Sequence, residues 1–248
     1  MNSWHKSRWI ETRYYGKLRL IALETARIMS GYDTTTEVGL AQMADALKRY
    51  ALLLEPWALL ESANIFDAIN NQDLMLWRKQ AKQISAGLKE VIKNTSTGTM
   101  QQQFIRDQTH LIKTLPIDAG LKAQEYAQKA MLSGARHETL IADIQGIGSQ
   151  TVARARCIAR TEVSKQSAAL TQARALKIGA THAIWRTSKD RVVRPSHKSM
   201  EGVVYSLTEI PLLDDGHRCF PGQIFNCRCT SEIIIPGIDK DRRPGDKV

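Results

Sequence analysis

The stretch "ALTQARALKIGATHAIWRTS", Ala169 to Ser188, divides the chain into two kinds of sequence. Up to Lys177 it continues a segment that begins near Ser149, lacks Gly and Pro, and is rich in Ala and Arg. That composition predicts one long helix. Gly179 is free to take positive φ and predicts where the helix stops. Beyond it, "THAIWRTS" carries strand-forming residues. "GVVYSL" (Gly202–Leu207) and "TSEIIIP" (Thr230–Pro236) follow in the same style, bounded by Gly, Pro or polar residues. The expected fold class is α+β, with a mainly helical N-terminal region followed by a small α+β C-terminal module.

Helical periodicity covers the chain upstream. Tyr14, Leu18, Ile21, Thr25 and Ile28 recur at intervals of three and four, as do Leu40, Met43, Leu47, Tyr50 and Leu54. Leu74, Trp77, Ala81, Ile84, Leu88 and Val91 form a third set. Each set lies on one helix face, and such stripes bury against one another as a bundle. Gly31–Thr34, Pro56 and Asn94–Gly98 separate these helices, with Asp33 or a nearby Thr as cap of the second. The stretch Met100–Gln145 again reads as helix, punctuated by Pro116 and Gly134.

The chain of 248 residues carries a formal charge of +10 and is 43% hydrophobic, an ordinary globular balance with a basic excess. No apolar run is long enough to span a membrane, and the first residues lack a signal-peptide core. A cytoplasmic location, or assembly from the cytoplasm, is expected. The charge is concentrated: Gln150–Met200 holds eleven Lys or Arg against two acids, Glu162 and Asp190. Polyphosphate is the partner such a segment suits, and the candidate nucleic-acid contacts are Arg154, Arg156, Arg160, Lys165, Arg174, Lys177, Arg191 and Arg194. "GIGSQ", Gly146–Gln150, reads either as a hairpin turn that offers N–H groups to a phosphate or as a local turn before a Ser-capped helix.

Four cysteines do not make a disulfide scaffold in a chain of this length. Two of them stand in "FNCRC", Phe225–Cys229. In a strand, residues two apart face the same side about 6.6 Å apart at Cα, so two thiolates there converge on one zinc ion. A disulfide lies at the edge of the permitted separation. His197, Cys219, Cys227 and Cys229 make a Cys3His set for zinc, with His217 an equal candidate for the fourth place. Buried thiols packed in a core are the other reading. No GxSxG, HExxH or Walker A pattern is present, and Asp214–Asp215 suits a turn. No catalytic residue is expected.

Three ordered motifs carry a resemblance: "IARTEVSKQSAALTQA" (Ile158–Ala173), "WRTSKDRVVRPSHKSMEG" (Trp185–Gly202) and "FPGQIFNCRCTSEIIIP" (Phe220–Pro236). In this order the chain resembles the phage Mu protein F-like family of head morphogenesis, or minor head, proteins, over roughly residues 100–236. The matching positions are Arg160, Thr161 and Glu162; Asp190, Arg194, His197 and Gly202; and Pro221, Asn226, Cys227 and Cys229. Ile224 stands where similar proteins often carry an acid, and Cys219 lies outside the motif. Periodicity gives a helical region over 1–98, the resemblance a Mu F-like domain over 99–236, and composition a polar tail over 237–248. The resemblance implies a minor capsid protein of a tailed double-stranded DNA phage or prophage. Portal and capsid or scaffold proteins are its implied partners, with sequence-independent contact to double-stranded DNA. The implied location is the virion, at the capsid interior or portal, with the host cytoplasm during assembly. The motif residues then read as structural: Glu162 pairing with Lys or Arg, and Asp190 and Asn226 holding loops. The alternative is a metal-dependent hydrolase or toxin-like module acting on nucleic acid, with an open coordination position.

Overall fold

The computed structural model describes residues 8–80, 86–133, 137–237, 239 and 244–248. Its helices are α1 (Arg8–Ser30), α2 (Glu37–Leu53), α3 (Glu55–Gln80), α4 (Ala86–Lys93), α5 (Gly98–Ser133), α6 (His137–Lys177) and α7 (Pro195–Ser199). Its strands are β1 (His182–Arg186), β2 (Val204–Ser206) and β3 (Thr230–Ile233). The fold is α+β, as the periodicity predicts. No described helix is long and apolar enough to cross a membrane. The chain forms two compact units, one of residues 11–64 and 102–159 and the other of residues 1–10, 65–101 and 160–248. Both units therefore draw on α1, α3, α5 and α6.

The first of these is all helical. Tyr14, Leu18, Ile21 and Thr25 are buried on one face of α1, and Met43 and Leu47 are fully buried on α2. Met29, Met43, Leu47, Ala119, Ala123, Ile144 and Ile147 form a shared core. Tyr14 donates its phenolic hydrogen to Gln108 at 2.9 Å, which satisfies a polar pair inside that apolar layer. Thr36 caps α2 by accepting the Gly39 N–H at 3.1 Å. Pro56 sits in the first turn of α3, where its missing N–H costs nothing.

One expectation fails here. Gly146-Ile147-Gly148 is neither a hairpin turn nor a helix start, because α6 begins at His137 and runs through it. Two forces outweigh the helix-weakening glycines. Ile147 is fully buried in the shared core. A Cβ at Gly148 would lie 3.1 Å from Cβ of Ala26, so the missing side chain lets α1 approach.

The second unit is built on a three-stranded antiparallel sheet of order β2-β1-β3. Ala183 faces Tyr205 on one side and Ile233 on the other; Ile184 faces Val204 and Glu232. Gly179 takes φ +81°, which ends α6 as expected and turns the chain into β1. Trp77, Trp185, Tyr205, Leu207, Phe220, Ile233 and Ile235 share a core with Cys219, Cys227 and Cys229. Leu74 and Trp77 lie on α3 and Val91 on α4. Ala81, Ile84, Gly134 and the side chain of Leu88 lie outside the described residues, as do residues 238 and 240–243 of the tail. The end of the tail is extended and paired: Val204 donates to Asp246, Gly245 to Val204 and Val248 to Gly202.

Candidate metal centre

His197 lies on α7, a single turn that Pro195 starts by fixing φ at its first position. Cys227 and Cys229 lie on the loop before β3. All three are buried, and their ligand atoms lie within 4.8 Å of one another. His197 Nδ1 stands 3.5 Å from Sγ of Cys227 and 3.5 Å from Sγ of Cys229. In a zinc tetrahedron with bonds of about 2.3 Å to sulfur and 2.0–2.1 Å to nitrogen, a nitrogen and a sulfur stand about 3.5 Å apart. The spacing fits a shared metal.

Several contacts prepare the Cys227 sulfur for that role. The N–H groups of Gly222 and Cys229 point at it, at 3.3 and 3.4 Å. Donors aimed at a sulfur favour the thiolate, the form that binds metal. The sulfurs of Cys219 and Cys227 beside His197 raise its pKa to about 9, against the burial that would lower it. Metal binding at His197 would have to displace the imidazolium proton, because a metal takes the neutral imidazole. The buried Nε2 of His197 has no hydrogen-bond partner among the described residues. Trp185 packs edge-on against the ring, with centroids 5.2 Å apart.

Cys219 is buried beside this group but is not within the 4.8 Å set. His217 is exposed and pairs with Asp215 at 3.2 Å, so it is not part of the cluster. None of the four cysteines is in a disulfide.

The frame around the site comes from the other motif residues. Ser164 on α6 donates to the Cys227 carbonyl at 2.6 Å, and Thr161 Oγ1 accepts the Asn226 N–H at 3.0 Å. Asn226 itself adopts φ +58°, a left-handed turn that Asn tolerates. Asp190 accepts from Ser188 and from the Val192 N–H, and pairs with Arg228 at 2.5 Å. Burial pushes the Asp190 carboxyl up, but these donors and the charges of Arg228 and Arg8 outweigh it and hold the pKa below the ordinary value. Arg194 donates to the Phe225 carbonyl at 2.9 Å. Glu162 lies 3.8 Å from Lys165. Asp190 thus holds its turn, and Glu162 finds a lysine, as the sequence predicts.

Residues 122–232 match the family model described as "Phage Mu protein F like protein". The stretch is similar to that family. An uncharacterized protein of Haemophilus influenzae is 37% identical over 133 residues, which are 54% of this chain and 28% of the relative. The chain thus spans little more than a quarter of that curated relative. No solved structure matches the chain.

Within residues 122–232 the basic residues have different fates. Arg174 is 1% exposed and is locked to Asp73, with Asn70 accepting a further bond at 2.5 Å. It cannot reach a phosphate and leaves the candidate contact set. Arg154 is half-buried against Asp118 and Thr114. Arg156 is exposed and lies over the Tyr15 ring at 4.8 Å. Arg160 is half-buried, whereas Lys165, Lys177, Arg191 and Arg194 are exposed. Sequence reasoning missed Ser164, Asp73 and Thr171. The first lies inside the quoted motif, one helical turn from Arg160. The other two carry no local signal, because their partners are distant in the chain.

Proposed function

We propose that this chain acts in head assembly of a tailed double-stranded DNA phage or prophage, as a minor head protein working with portal and capsid. The observation that carries this reading is the family match over residues 122–232, made by segments that converge on one frame around Cys227. A zinc ion held by His197, Cys227 and Cys229, with Cys219 beside them, would cross-link α7 to the cysteine loop. Its chemistry there is that of a structural staple. Lys165, Lys177, Arg191 and Arg194 remain available for contact with packaged DNA, through counterion release rather than base readout.

The hydrolase reading draws on one observation: three ligands rather than four lie within mutual reach. Against it stands the lack of a free carboxylate at the site among the described residues. The carboxylate beside the site, Asp190, is engaged by Ser188, Val192 and Arg228.

Fractionation of assembled heads tests the assembly reading. The chain should sediment with heads and resist a salt wash. Recovery only among unassembled proteins would contradict it.

A further inference from the structure

Phe225 is 63% exposed, yet its loop is held firmly. Arg194 binds its carbonyl at 2.9 Å, and the next N–H, that of Asn226, is bound by Thr161 at 3.0 Å. A large aromatic side chain displayed on a pre-formed loop loses little freedom on docking, which is how interface anchors work. Its neighbourhood is basic: Arg191 and Arg194 are exposed on the adjoining loop, along with Val192 at 75%.

The helical unit carries a receptor of matching character. A cavity of about 450 Å³ is lined by Ala26, Met29, Tyr32, Ile141 and Ile144, with Asp33 and Gln145 among its polar residues. That volume falls in the range of about 300–1,000 Å³ typical of pockets that take a whole small molecule, so a phenylalanine ring fits. The lining is mainly apolar, and its charged member is an acid.

We propose that Phe225 of one copy seats in the Met29–Ile144 cavity of a second copy, giving a head-to-tail association. Phosphodiester offers no apolar pocket for Phe225, whereas this cavity does, with Asp33 to meet Arg191 or Arg194. The contact is heterologous: each copy keeps one free knob and one free cavity. It therefore extends to a ring or a short filament rather than stopping at a symmetric dimer.

Sedimentation velocity over a concentration series tests this. Wild-type chain should associate beyond the dimer, and less so at high salt. Phe225→Ser and Ile141→Arg, both at exposed positions, should each remain monomeric alone. Mixed together they should form a one-to-one dimer and nothing larger, because only one intact knob and one intact cavity remain. Monomeric wild-type chain at all concentrations would overturn the proposal, as would association that neither substitution alters.

Discussion

The Ser164 hydroxyl, buried on α6, donates a 2.6 Å hydrogen bond to the backbone carbonyl of Cys227, 63 residues later. One link thus ties the first family motif to the last. Ser164→Ala removes the donor and leaves a buried carbonyl short of it, at a cost of about 1–3 kcal/mol. The expected result is a lower urea midpoint with an unchanged slope. An unchanged midpoint would show that the link does not stabilise the module.

The proposed zinc staple predicts about one zinc per chain in protein purified without chelator, read by elemental analysis. Cys227→Ser, Cys229→Ser and His197→Ala should each remove most of it. Cys219→Ser discriminates further: retained zinc places Cys219 outside the ligand set, and lost zinc makes it the fourth ligand. Metal-free wild-type protein would contradict the staple.

Asp190 predicts a pH dependence with a definite sign. Its carboxyl is held below the ordinary value, first against burial and then by Ser188, Val192 and Arg228. A carboxylate of this kind contributes stability that is present above its unfolded pKa and lost as pH falls through the folded one. Asp190→Asn should therefore melt below wild type at pH 7, and the two melting curves should converge as the medium is acidified below pH ~4. A gap that stays constant on acidification would refute this role.

Asp73 and Arg174 form a buried ion pair, with Thr171 also donating to Asp73. Removing one partner strands the other charge, a loss of about 3–5 kcal/mol. Arg174→Met should therefore be strongly destabilising. The double variant Asp73→Leu, Arg174→Met should lose less than Arg174→Met alone, measured by denaturant unfolding. Additive losses would mean that the two charges do not depend on each other.

Much of the fold was legible in the sequence because its signals are local. The stripe from Tyr14 to Thr25, the stop at Gly179 and the three β-branched runs each appear where their spacing places them. The failures are places where tertiary packing outweighs local chemistry. Gly146-Ile147-Gly148 reads as a turn until the burial of Ile147 and the approach of Ala26 hold it in helix. Arg174 reads as one more cation on a basic helix until Asp73 accounts for it. The convergence of His197, Cys227 and Cys229 was legible because His and Cys stand out chemically in the sequence. Ser164 was not, because a serine on a helix is ordinary until its partner is known.

Complementation tests the central claim most directly. If the chain is the head protein proposed above, loss of its gene in cells that produce the phage particles should stop production of DNA-filled heads, counted by electron microscopy. The wild-type gene should restore them, and a Cys227→Ser, Cys229→Ser version should restore far fewer. A normal yield of filled heads without the gene would contradict the assignment to head assembly.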